Sequence, residues 1–177
     1  MKKVFMSLGG LVVVVGLAAE IQPAEAEADD VAAVAEAYLE CIEDQDWERM
    51  GGLLTGTSRY EDFTMEFFDR PPIQLDGRDA IVEFWRSSSE DSGTSEIDYE
   101  IVRRIVAGPM AILDLRGRVT VAGRFWELKA EEITFEFDQI TTLRIVEGRV
   151  VHHVDHVDYA DGMRQVEDQR RRETGRK

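Results

Sequence analysis

The sequence predicts an α+β domain in which helices come first and an antiparallel sheet follows. Apolar residues recur at helical spacing in the segment that begins near residue 30. Residues 97–158 instead alternate apolar and polar side chains in four runs. Pro71-Pro72, Asp76-Gly77 and Glu147-Gly148 punctuate the chain between these patterns. Helices followed by consecutive strands place the helices on one face of a curved sheet. The 177 residues are 44% hydrophobic and 32% charged, which suits one soluble domain able to bury a core without a metal or disulfide.

The N-terminus reads as an export signal. Lys2 and Lys3 precede an apolar run from Val4 to Ala19, Pro23 stops it, and Ala24-Glu25-Ala26 or Ala26-Glu27-Ala28 offers a cleavage site. The apolar run is shorter than the roughly 20 residues that span a bilayer, so the segment is expected to be removed rather than to anchor the protein. Residues 1–26 are thus the signal, 27–166 the domain and 167–177 a polar basic tail, with the mature protein periplasmic or secreted.

The first helix spans 30–44, with Val31, Val34, Ala35, Tyr38, Leu39 and Ile42 on one stripe and Asp29 or Asp30 at its start. Cys41, the single cysteine, falls in it and is expected to be buried. Asp46 caps a short helix from Trp47 to about Leu54. Arg59 to Phe68 reads as a strand or extended loop, and a third helix runs from Arg78 to Ser87 before a Ser-rich loop to Ser95. The four strands follow: 97–106, with Ile97, Tyr99, Ile101 and Ile105 on one face; 110–128, bent at Gly117 or Gly123; 133–146, with Phe135, Phe137, Leu143 and Ile145 on one face; and 149–158.

Charge and composition narrow the function. Acidic residues number 36 against 21 Lys plus Arg, a net of −15, which disfavours a nucleic-acid partner. One cysteine excludes an intrachain disulfide or a cysteine-ligated zinc. His152 and His153 point to opposite faces of a strand, and His152 and His156 lie about 13 Å apart along it, so no metal site is expected. No phosphate-binding glycine loop or nucleophile elbow is present, and no cofactor is expected.

Several segments together resemble the NTF2-like superfamily, in its SnoaL-like and limonene-epoxide-hydrolase-like branches. They are Asp46-Trp47 after the first helix, Tyr60-Glu61-Asp62, Leu75-Asp76-Gly77-Arg78-Asp79-Ala80-Ile81, and the closing hairpin from Glu147-Gly148-Arg149-Val150-Val151 to Asp155-His156-Val157-Asp158 with Gly162-Met163-Arg164-Gln165 behind it. The resemblance spans about residues 30–166. It implies a cone: a curved sheet wrapped around a helix, with an apolar pocket for a small hydrophobic molecule. It also implies that Asp155 is a general base. Arg116 would set its charge, and Tyr60 with Asp62 would hold water or substrate.

The sequence departs from the epoxide-hydrolase pattern at Arg118, where an acid is expected, and at Asp62, where an asparagine is expected. Asp114 or His153 would have to supply the missing proton donor. The ketosteroid isomerases are more distant relatives, and their pattern maps onto Tyr38 as oxyanion donor and Asp62 as base, with Thr141 where a third, acidic donor would stand. Parity groups Val151, His153, Asp155 and Val157 on one face and His152, Val154, His156 and Asp158 on the other. Valines occur on both, so parity leaves the inward face open, and Asp114, Arg116 and Arg118 equally form a surface charge ladder. The expectation is an exported, cofactor-independent acid/base enzyme of hydrolase, isomerase or cyclase type. The alternatives are a non-catalytic hydrophobic-ligand binder or a homodimeric interaction module.

Overall fold

The computed structural model describes residues 24–175. Most of the segment read as an export signal lies outside them, as do Arg176 and Lys177. The two expected cleavage points fall near the start of the first helix, α1 (Ala24–Glu43), whose buried stripe begins at Val31. Among the described residues no helix is long and apolar enough to cross a membrane.

Helix α1 buries Val31, Ala35, Tyr38, Leu39, Cys41 and Ile42 against the sheet, as its spacing predicts. The Asp46 side chain accepts from the Arg49 N–H at 3.0 Å and starts α2 (Trp47–Gly52). Strand β1 (Leu54–Asp62) follows, then a 3-10 turn (Thr64–Phe68), β2 (Ile73–Asp76) and α3 (Arg78–Ser92). The helix α3 runs through the serines expected to form a loop. Ser87 and Ser92 donate their hydroxyls back to helix carbonyls, and Ser89 donates outside the helix to the Gln45 amide oxygen, so these serines find partners without leaving the helix. Gly93, at φ 61°, ends it.

Strands β3 (Glu96–Ala107), β4 (Met110–Ala122), β5 (Glu132–Val146) and β6 (Arg149–Val157) form the expected antiparallel meander. The sheet is nevertheless mixed. Strand β1 pairs with β6 in parallel, β2 caps β1, and the order is β2-β1-β6-β5-β4-β3 in one curved, unclosed six-stranded sheet. Hairpin spacing reveals local antiparallel pairs, but a parallel partner such as His153 for Tyr60, 93 positions away, leaves no mark in the sequence.

Two irregularities set which side chains face inward. In β3 the register shifts between Ile101 and Arg103, so Ile97, Tyr99 and Ile101 face the core while Ile105 turns outward and Val106 replaces it. In β6 the register passes from Arg144–His152 to Ile145–Val150, leaving Val151 as an extra residue. This bulge lets Val150, His153 and Asp155 all point inward. Strand β4 stops at Ala122, and Gly123–Trp126 forms a 3-10 turn, so the long strand expected to 128 ends six residues early. At Gly117 the pairing register is unbroken, and Phe137 sits opposite it with its ring where a β-carbon would stand.

The final helix α4 (Tyr159–Thr174) continues into the segment read as a polar basic tail from residue 167. The Arg170 guanidinium donates to the Trp126 carbonyl, and the Glu173 carboxylate accepts from the Lys129 and Ala130 N–H groups. Helix α4 buries Val166 against Val121, Leu128 and Ile133 in a second apolar cluster, apart from the main core under α1.

Gly93 supplies a specific check on how α3 is anchored. A β-carbon there would sit 2.9 Å from that of Ala122, on a left-handed backbone. Gly93→Ala is expected to lower unfolding free energy by about 1–2 kcal/mol in urea denaturation, whereas Gly52→Ala, with open space around it, serves as the neutral comparison.

Candidate active site

A cavity of about 580 Å³ lies between the sheet, α3 and α4, and its walls include Trp47, Phe84, Trp85, Tyr99, Phe137 and Trp126. Two carboxylates, Asp62 and Asp155, line it. Both are almost completely buried, at 1% and 2% exposure. They meet because β1 and β6 pair in parallel with Asp62 opposite Asp155 and Tyr60 opposite His153. Two strand ends thus deliver two acids to one wall.

Asp155 is held by four side chains. Its Oδ1 accepts from Gln139 Nε2 and Thr141 Oγ1, each at 2.7 Å, and from His153 Nε2 at 2.9 Å. Its Oδ2 accepts from the Tyr60 hydroxyl alone, at 3.2 Å. Three donors saturate Oδ1, so Oδ2 keeps the spare acceptor capacity. Burial pushes the carboxyl pKa up, but the charge and hydrogen bond of His153, with the bonds from Thr141 and Tyr60, outweigh it and hold the pKa below its usual value. Asp155 is therefore a carboxylate at neutral pH.

Behind it, His153 Nδ1 lies 3.3 Å from the Tyr38 hydroxyl, with the two rings edge to face. Tyr38 is fully buried under the sheet and does not reach the cavity wall. Its contact is with the histidine, where the isomerase resemblance implies an oxyanion donor to substrate.

Asp62 has a different shell. Its Oδ1 accepts from the Thr64 N–H at 2.8 Å and from the Thr64 hydroxyl, and its Oδ2 accepts from Tyr159 at 2.7 Å. All these donors are neutral. The Tyr60, Tyr99 and Tyr159 hydroxyls have raised pKa values, first because they are buried and then because a nearby carboxylate opposes a second negative charge. They remain protonated donors.

Arg116 and Arg118 do not join this group, which corrects the convergence implied by the resemblance. Leu113, Leu115, Gly117, Val119 and Val121 supply the inward face of β4, so Asp114, Arg116 and Arg118 take the solvent face. There Arg116 pairs with Glu100 and Asp138, and Arg118 with Glu96 and Asp98. The sequence offered both this ladder and the inward reading. The continuous β4–β5 register decides for the ladder. Of the seven residues singled out, Tyr60, Asp62, His153, Asp155 and Tyr38 form one connected region, and the two arginines lie outside it. His152 Nε2 lies 2.8 Å from Glu61 Oε2, and no group of three or more His, Cys, Asp or Glu side chains arranged to hold a metal occurs among the described residues.

Sequence reasoning missed Gln139, Tyr159 and Thr64. Gln139 and Thr141 interrupt the inward stripe of β5 between Phe137 and Leu143. A polar pair on an apolar face must find a partner inside, and that was the available signal. Tyr159 and Thr64 gave none, since each acts through a turn at a strand end.

A family model described as SnoaL-like polyketide cyclase matches residues 32–166. The chain belongs to the SnoaL-like polyketide cyclase family. A structure from Shewanella denitrificans OS-217, described as a SnoaL-like polyketide cyclase, superposes with TM-score 0.69 at 20% identity, over 78% of this chain and 98% of that one. An epoxide hydrolase of the limonene-epoxide-hydrolase type from Mycobacterium tuberculosis superposes at 0.63 and 14% identity, over 81% and 93%. A protein with a ketosteroid isomerase-like fold from Catenulispora acidiphila DSM 44928, solved with trimethylamine, does so at 0.62 and 13%, over 76% and 92%. At these identities the likeness is one of fold. A comparison with curated proteins finds no match. This SnoaL-like chain thus shares its fold with proteins described as a polyketide cyclase, an epoxide hydrolase and one of ketosteroid isomerase-like fold.

The Asp155 shell makes a pH prediction. A carboxyl whose folded pKa is lowered contributes stability that is fully present above its unfolded value, near 3.8, and is lost as the pH falls through the folded value. Thermal unfolding of the wild type is expected to show this loss below about pH 3.8. Asp155→Asn should flatten that part of the profile, and an unchanged slope would refute the assignment.

Proposed function

We propose that this SnoaL-like protein is an exported, cofactor-independent acid/base enzyme that moves a proton on a small, largely apolar molecule bound in the cavity. The observation supporting this is the Asp155 carboxylate: buried, lining the cavity, and with one oxygen saturated while the other keeps acceptor capacity. The proton would pass to Oδ2. Gln139, Thr141 and His153 fix the carboxylate by Oδ1, so the base needs little reorganisation when substrate arrives. Tyr60 would orient Oδ2, and Asp62 beside it would hold a water or a substrate hydroxyl.

The pKa direction narrows the reaction. A carboxylate held below its ordinary value is a weak base and suits an acidic proton, such as one on carbon activated by carbonyl groups. Epoxide opening also needs an acid for the leaving oxygen, and the arginines that the resemblance associated with that machinery lie on the outer face. Isomerisation or cyclisation of an activated carbonyl compound therefore fits this site better than epoxide hydrolysis.

A second reading, binding without chemistry, is supported by the lack of a cationic side chain in contact with the two acids other than His153 among the described residues.

The test is an assay of enone, 1,3-dicarbonyl and epoxide substrates. Asp155→Asn is expected to lower kcat by roughly 10²–10⁴-fold on the substrate turned over, while Arg116→Gln leaves the rate unchanged. No turnover by the wild type, with a ligand recovered chemically intact, would favour the second reading. Export rests on Lys2, Lys3 and the apolar run to Ala19. N-terminal sequencing of protein recovered from the periplasm is expected to begin at residue 27 or 29, and a start at Met1 would overturn export with cleavage.

A further inference from the structure

We infer that the cavity selects a ligand bearing a positive charge, an alkylammonium or comparable organic cation, seated against Asp62 and within the aromatic wall. The inference names a ligand class for the site proposed above. It rests on the cavity as a binding site, not on Asp155 acting as a base.

The argument is one of charge balance. A carboxylate taken out of water is strongly disfavoured unless a cation or a full set of donors compensates it. Asp155 has His153 at 2.9 Å. Asp62 has only the neutral donors Thr64 and Tyr159, and among the described residues no lysine, arginine or histidine nitrogen lies within 4.0 Å of it. The nearby cations are committed elsewhere: His152 faces Glu61, and Arg59 pairs with Glu61 and Asp76. Arg70, the single cationic side chain on the cavity lining, is exposed and makes no ion pair with either acid. Asp155 has an imidazole nitrogen among its donors, so Asp62 is the buried acid of the pair without a nitrogen side chain beside it.

The walls favour the same ligand. Trp85, Phe84, Tyr99 and Phe137 line the cavity. Aromatic rings attract a desolvated cation through their quadrupole. A neutral molecule of the same shape would gain the apolar contact but leave Asp62 without a cation. The acidic surface, at −15 overall, adds a long-range pull on cations and none on anions.

Benzyltrimethylammonium and its neutral isostere neopentylbenzene separate charge from shape. Their binding to the full chain is read by tryptophan fluorescence, with Trp85 and Trp126 in the wall as reporters. The cation is expected to bind at least tenfold more tightly, and Asp62→Asn to erase that preference while circular dichroism stays native. If Asp62→Asn fails to fold, the wild-type comparison decides alone. Equal or tighter binding of neopentylbenzene, no binding of either probe, or a preference that survives in folded Asp62→Asn would overturn the inference. A cation preference without turnover of any substrate would leave this inference standing and count against catalysis. Turnover of neutral substrates with no cation preference would do the reverse.

Discussion

The parallel pairing of β1 with β6 is the contact on which the site depends. It sets Tyr60 beside His153 and Asp62 beside Asp155, bringing two carboxylates, a histidine and a tyrosine into one wall. A one-residue slip in that register would turn all of β1's inward residues to the other face. The pairing is backed by burial. Leu54, Ser58, Tyr60 and Asp62 face inward along β1, and the Ser58 hydroxyl donates to the Val150 carbonyl across the strand pair at 2.6 Å. The main core under α1 supplies the driving force, since charged groups would not choose this register unaided.

The two acids sit in one low-dielectric wall yet are stabilised by opposite means. Asp155 is surrounded by donors from three strands, including an imidazole, and its four hydrogen bonds are charge-assisted, each worth about 1.5–3 kcal/mol. Asp62 is held at the end of β1 by the turn that follows it and by the first residue of α4. One acid is therefore rigidly fixed by the sheet. The other depends on the turn after β1 and on α4, which supplies Tyr159 and also lines the cavity with Gly162, Met163 and Val166. The same helix is docked at its far end by Arg170 and Glu173, so its position is set at both ends.

Much of this was legible along the chain. The stripe on α1, the capping Asp46, the inward faces of β5 and the closing hairpin all follow from local periodicity and turn chemistry, which act over a few residues. The region of Tyr60, Asp62, His153 and Asp155 was legible only through resemblance. Ile105 and the end of β4 were misplaced because a bulge and a 3-10 turn alter parity without changing the pattern of residue types. Gln139 and Thr141 could have been found from their place on an apolar stripe, whereas Tyr159 could not.

By itself the sequence determined the order of elements, the apolar faces and the family, because these depend on spacing and composition. It also carried both candidate roles for Arg116, as a pocket residue or a rung of a surface ladder. Only the tertiary structure decided between them. Alternation along a strand says which residues share a face, but the face that turns inward is fixed by packing against neighbouring strands. On β4 the leucines and valines claimed the interior, and burying an arginine there would have cost more than those residues gain. The charge balance around Asp62 was likewise invisible in the chain, because it is set by which side chains from distant segments stand beside it after folding.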